Sequence, residues 1–323
     1  MKNFKTQQAF LEVVRTKMPF KASMVDELSD LLQLSRDSTY RRINCKTSLS
    51  LDEAFKISET YKVSLDLLQQ NQMNNERIMF SYHSQVFEEK DLKLHMKAIH
   101  NDFEKTSYFK NKKMINSAVD IPLFYYFKYE NLAKFKLLYW DSSFLSTQKV
   151  RLDPEDVDKE LISLGKKIYR AYAIIPSVEI WTNTTINSTL EHIQFCQESE
   201  MITKEWALTL YEEIEKLLFD LRENAISSKR TTSSSSFELY ISDISLGNNV
   251  SIVHLDKFRV AYMSVNTFGI LKTEQLSFIN RLEEWTDQVL QKSTLISGSS
   301  EKQRIQFFNR LLKHVETYKK SVD

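Results

Sequence analysis

The sequence predicts a mainly α-helical protein that ends in a small α+β module. Three observations carry this. Only 4 glycines and 4 prolines occur in 323 residues, too few for a chain built on tight turns. Apolar residues recur at helical spacing through most of the first 226 positions. Beyond a serine-rich stretch at 227–236 the apolar period shortens to that of strands. A hydrophobic content of 42% and an aromatic content of 12% suit a globular chain, and the length allows two or three domains.

The first helix is predicted around Phe10, Leu11, Val13 and Val14, before the break at Pro19. Ser23 is placed to cap a second helix, with Asp26 and Glu27 set against its positive end. Val25, Leu28, Leu31 and Leu32 give that helix its buried side, and it should stop near Gln33. Ser35 caps a third helix over about 36–45. Ser50 with Glu53 forms a capping-box pattern for a fourth, whose inner side is Leu51, Ala54, Phe55 and Tyr61. Ser64 with Asp66 opens a short fifth helix carrying Leu65, Leu67 and Leu68.

The third helix is the one with a readable surface. Ile43 must face inward, partnered by Thr39 or Tyr40. At roughly 100° per residue, either choice turns Ser38, Arg41 and Cys45 outward. Asp37 and Arg42 flank that face, and Arg36 stands at the helix entrance. Four cations (Arg36, Arg41, Arg42, Lys46) thus accompany one anion (Asp37). Arginine can bond a guanine edge bidentately or hold phosphate. Two helices joined by a turn of three or four residues have the spacing of a DNA-reading helix-turn-helix.

The segments LSRDSTYRRI, LSLDE and VSLD together resemble the lambda-repressor-like (Cro-like) helix-turn-helix regulators of bacteria and phage. More narrowly they are similar to a bacterial subgroup whose reading helix carries a DS-x-YRRI core. The resemblance covers about 50 of the 323 residues. It implies a five-helix DNA-binding domain over 1–72, acting as a dimer, with Arg36, Asp37, Ser38, Arg41 and Arg42 in its DNA-facing part. Two positions depart from the pattern. Gln33 and Cys45 stand where such regulators often carry glycine, and a left-handed backbone at Gln33 would cost about 1 kcal/mol.

Past the polar stretch 69–76, positions 77–226 are predicted as a helical dimerisation or sensor region. Within it, 120–140 is the most aromatic segment, with Tyr125, Tyr126, Phe127 and Trp140 among apolar leucines. That mixture points to a core or a subunit contact. Asp153 with Pro154 starts another helix. The stretch 227–236 is expected to be a linker. The module at 236–323 is expected to hold a three-stranded antiparallel sheet (237–244, 250–255, 258–265) and two helices (273–295, 301–320). Lys302, Arg304, Arg310 and Lys313 give the last helix a basic, solvated side.

Chemistry is sparse. The scattered glycines 165, 247, 269 and 298 make no phosphate loop or dinucleotide fingerprint. Cys45 and Cys196 lack paired spacing, and His95 and His100 lie five apart, a poor metal pattern. No cofactor, metal or enzymatic reaction is expected. No membrane-length apolar run and no signal-peptide core occur, so a cytoplasmic location is expected. With a net charge of +1, DNA affinity has to come from a local patch. The expected function is sequence-specific binding of double-stranded DNA by a transcriptional regulator. Ser38 and Arg41 would meet base edges, and Arg36, Arg42 and Lys46 would meet phosphates. The larger part would form a homodimer and take an effector, a small molecule or a peptide. The alternative is an interaction or sensory protein whose N-terminal helices bind a protein partner.

Overall fold

The computed structural model describes residues 4–18, 23–63, 65, 78–83, 89–142, 151–265 and 269–322. The chain forms two compact units, Met1–Met79 and Phe80–Asp323.

In the smaller unit four helices are described: α1 (Lys5–Lys17), α2 (Met24–Leu32), α3 (Arg36–Ile43) and α4 (Leu51–Tyr61). The serines set two of the starts. Ser35 accepts a hydrogen bond from the Ser38 amide, and Ser50 and Glu53 form a reciprocal capping box. Ser23 occupies the cap of α2 in extended backbone but makes no side-chain capping bond. Phe10, Leu11, Val14, Leu28, Ile57 and Val63 form the buried centre. The expected fifth helix lies outside the described residues, except for Leu65, which packs against that centre.

The larger unit is built on one mixed sheet, in the order β1-β7-β6-β5-β2-β3-β4-β8. The strands are β1 (Ser81–His83), β2 (Lys112–Ser117), β3 (Ser177–Trp181), β4 (Phe237–Ile241), β5 (Val250–Leu255), β6 (Phe258–Ser264), β7 (Ile270–Thr273) and β8 (Thr294–Leu295). Its helices are α5 (Glu89–Ser107), α6 (Glu130–Trp140), α7 (Lys159–Ala173), α8 (Asn187–Glu198), α9 (Lys204–Ser227), α10 (Leu276–Gln291) and α11 (Glu301–Lys320). Strands β2, β3 and β4 run parallel. They are joined through α6 and α7, then through α8 and α9, as parallel pairing requires. The remaining pairings are antiparallel.

Side chains alternate across the sheet and meet different layers. Met114, Trp181, Phe237, Leu239 and Val253 join the main core with residues of α5, α6, α7, α8, α9 and α11. On the other face Ile180 packs with Val289, and Ile252 and Ala261 pack with Ile279, so α10 covers that side. The aromatic segment 120–140 is core: Tyr125, Tyr126 and Phe127 sit on a 3-10 turn (Leu123–Lys128), followed by buried Phe135 on α6.

This corrects the expected small C-terminal sheet. The β5–β6 hairpin is present, but β4 does not join it; β4 pairs with β3 and β8. The sheet also takes strands from both sides of 227–236, so that stretch does not separate a helical region from an α+β module. The reason is burial. Every residue of β3 is inside, and a strand covered on both faces loses the polar alternation that marks strands in sequence.

Nor is 227–236 a free linker. Lys229 and Ser236 form an isolated bridge, and the Thr231 amide donates to Asn224. Arg230 is buried in the main core layer. Arg304 departs from expectation in the same way. It is buried and donates to the Ile296 and Gly298 carbonyls at 3.0 and 2.7 Å, so it is not part of a solvated basic face.

Candidate nucleic-acid interface

Helix α3 follows α2 after three residues. Gln33 takes the left-handed conformation (φ 54°), its amide and that of Leu34 close the end of α2, and Ser35 starts α3. The departure from glycine at Gln33 therefore falls where a side chain is strained. Cys45 is also left-handed (φ 56°), just past the end of α3.

Thr39 is the inward partner of Ile43, since Thr39 is buried and Tyr40 is 51% exposed. That choice centres Arg41 on the outer face. At roughly 100° per residue Asp37 and Asn44 lie to one side of it, and Ser38 and Cys45 to the other. Asp37, Arg41 and Asn44 are exposed, whereas Ser38 and Cys45 are half-buried. Burial, with help from the Glu12 charge, pushes the Cys45 thiol up and keeps it protonated.

The predicted cations divide into two kinds. Arg36 pairs with Asp26 at 2.9 Å and Arg41 with Asp37 at 3.0 Å, all four well exposed. Exposed pairs of this sort are worth about 0–1 kcal/mol, so a phosphate can replace either carboxylate at little cost. Lys46 is exposed, and its amide donates to the Arg41 carbonyl at 2.8 Å.

Arg42 is different. It pairs bidentately with Glu53 of α4, at 2.9 and 3.0 Å, with side chains only 18% and 16% exposed. A third nitrogen donates to the Ser38 hydroxyl at 2.8 Å and more distantly to its carbonyl. Burial works to raise the Glu53 carboxyl, but the Arg42 guanidinium and the Ser50 amide outweigh it and hold the group below the usual carboxylate range. Arg42 thus ties α3 to α4. Ser38, with its oxygen already accepting from Arg42, still has its hydroxyl proton to donate outward.

Sequence reasoning missed Gln7. From α1 its amide nitrogen donates to the Arg42 and Thr47 carbonyls at 2.7 and 2.9 Å, and its oxygen accepts from the Leu49 amide at 2.9 Å. It pins the loop that carries Lys46. Nothing in a lone glutamine near the start of a helix announces that role. Tyr40 and Asn44 were also missed as outward groups, and choosing Thr39 over Tyr40 as the inward residue would have exposed both.

The larger unit holds two buried polar networks. Glu179 and Arg230 are 0% and 1% exposed and 2.9 Å apart. Tyr125, Tyr172 and Trp181 donate to the carboxylate, and Ser177 lies against both charges. In the second, Lys136 donates to Thr189 at 2.8 Å and lies over the Tyr126 ring, 3.9 Å from Asp120. Burial pushes the Lys136 ammonium down while Asp120 opposes the shift. The first network is enclosed by the core, while the second reaches partial exposure at Asp120.

Among the described residues no group of three or more His, Cys, Asp or Glu is placed to hold a metal, and no helix is long and apolar enough to cross a membrane. No family model, no curated protein and no solved structure matches the chain.

Proposed function

We propose that the protein is a sequence-specific DNA-binding regulator whose smaller unit seats α3 in the major groove. The observation that carries this is the three-residue turn between α2 and α3, with Arg36, Arg41 and Lys46 exposed along one helix and its following loop. Arg41 is the base-reading arginine, and Ser38 and Asn44 flank it. Asp37, if it parts from Arg41, can accept from a cytosine amine. Arg36 and Lys46 hold phosphates. Arg42 leaves the phosphate set and becomes a positioning residue. One such helix buries too little surface for specificity, so two copies meet half-sites one helical turn apart. The larger unit dimerises and senses an effector, in the cytoplasm.

The test is to sequence DNA fragments that the purified protein retains at physiological salt. A palindromic motif is the expected result, and retention without any shared motif would overturn the reading. On that motif Arg41→Ala should weaken binding by about 1–3 kcal/mol and relax one base position, measured by fluorescence anisotropy.

A second reading has its own observation. Tyr40, Leu51 and Phe55 are large apolar side chains more than half exposed on α3 and α4; Leu51 and Phe55, expected on the inner side of α4, yield that place to Ile57, and their exposure suits a protein partner. Salt separates the two readings, since DNA binding falls steeply with added salt as counterions compete.

A further inference from the structure

We infer that a cleft on the larger unit, between α7 and the Ser-rich loop that follows α9, binds a small organic phosphate with an apolar body. The cleft has a volume of about 400 Å³, within the range of small-ligand sites. Three cations line it, Lys128 from the 3-10 turn and Lys166 and Arg170 from α7, and no carboxylate does. Lys166 and Arg170 lie four apart and so share one face of the helix. Lys128 pairs with Asp220, and Lys166 with Glu130 at 3.0 Å, neither carboxylate being part of the lining. Arg170 has no ion pair among the described residues and is exposed, so its guanidinium is free for a bidentate contact to phosphate.

The rest of the lining supplies what such a ligand needs. Phe127, Tyr169 and Ile174 give an apolar wall, while Thr232 brings a hydroxyl group from the loop. The wall is built tightly. A Cβ on Gly165 would lie 2.8 Å from the Phe127 ring, so only glycine there lets the ring close onto α7.

One feature opposes an anion: this is the C-terminal end of α7, the negative pole of a helix. The fold neutralises it. The Ser233 hydroxyl donates to the Ala173 carbonyl at 2.5 Å and Ser235 to the Ile174 carbonyl at 2.9 Å. Arg170 adds a positive charge in the same last turn. Arg230, paired with Glu179 in the core three residues before Ser233, anchors the loop from its other side. The loop wall of the cleft is therefore in place before the ligand arrives.

The inference concerns the larger unit alone and is read as ligand binding, so its failure and that of the DNA-binding proposal are separate results. The probe is phenyl phosphate, titrated into the full chain by calorimetry, with inorganic phosphate and benzoate as comparisons. Saturable one-site binding is expected, at least ~10-fold tighter than for inorganic phosphate or benzoate. Arg170→Ala should weaken it by ~10-fold or more, and Thr232→Trp, at an exposed position, should block it by filling the cleft. Absence of saturable binding would overturn the inference. So would equal affinity for inorganic phosphate or benzoate, or unchanged affinity in both variants.

Discussion

Arg42–Glu53 in the smaller unit and Arg230–Glu179 in the larger one are the same chemical pair set at different depths. The first is 18% and 16% exposed and joins two helices at the surface; the second is 1% and 0% exposed and lies under a sheet. Near the surface, water still solvates part of both charges, so the pair needs few helpers: the Ser50 amide on Glu53 and the Ser38 oxygens on Arg42. In the core, desolvation is costly, and the surrounding tyrosines, tryptophan and serine offset it with hydrogen bonds. Depth decides whether such a pair is an adjustable tie or a fixed anchor.

The largest expected effect follows from the deeper pair. Arg230→Ala leaves Glu179 charged and buried, and should cost the larger unit about 3–5 kcal/mol. All 4 tryptophans (140, 181, 206 and 285) lie in that unit, so their fluorescence during urea unfolding reports it alone. A loss below about 1 kcal/mol would break the comparison.

Arg42→Ala should cost less, about 1–3 kcal/mol, because the released Glu53 can rehydrate. Amide exchange of α3 and α4 measures it without interference from the larger unit. On the proposed DNA-binding reading, the same variant should weaken binding without changing which bases are preferred, since α3 loses its tie to α4 and keeps Arg41.

Acid sharpens the contrast further. The Glu53 carboxyl is depressed in the folded state. Its contribution is thus fully present above its unfolded value and is lost as pH falls through the folded one. The smaller unit should lose stability on that descent, and Glu53→Gln should flatten this limb of the curve while lowering stability near neutrality. Thermal melts of the smaller unit across an acid series, read by amide exchange, test the sign. An unchanged acid limb in Glu53→Gln would show that another carboxylate governs it.

The smallest effect expected is a gain. Gln33→Gly relieves a left-handed backbone (φ 54°) at the end of α2 and should stabilise the smaller unit by about 1 kcal/mol or less. A destabilisation would mean that flexibility gained by the unfolded chain outweighs the strain relieved.

These residues also mark what the sequence could disclose. The starts of α3 and α4 were legible because Ser35, Ser50 and Glu53 act on backbone amides within three positions, a local rule. Glu53 as the partner of Arg42 was not, because the capping pattern already explained it and the pairing spans eleven positions. The outer face of α3 was legible to within one choice, Thr39 or Tyr40. In the larger unit the helices at 276–291 and 301–320 lay within the predicted spans, whereas β2 and β3 did not show. Their partners are supplied by distant segments, and β3 is wholly buried. The stretch 227–236 was misjudged through its composition: serines dominate it, and the single arginine that fixes it in the core looks like any surface cation. The cleft beside α7 was not legible either, since Lys128 and the loop residues Thr232 and Ser233 reach it from segments far from Lys166 and Arg170.

The ends of the large sheet carry a last consequence. Its outer positions are held by β1, three residues long, and β8, two residues long. Among the described residues, so brief a border strand is itself a short template for a neighbouring chain that would extend the ladder.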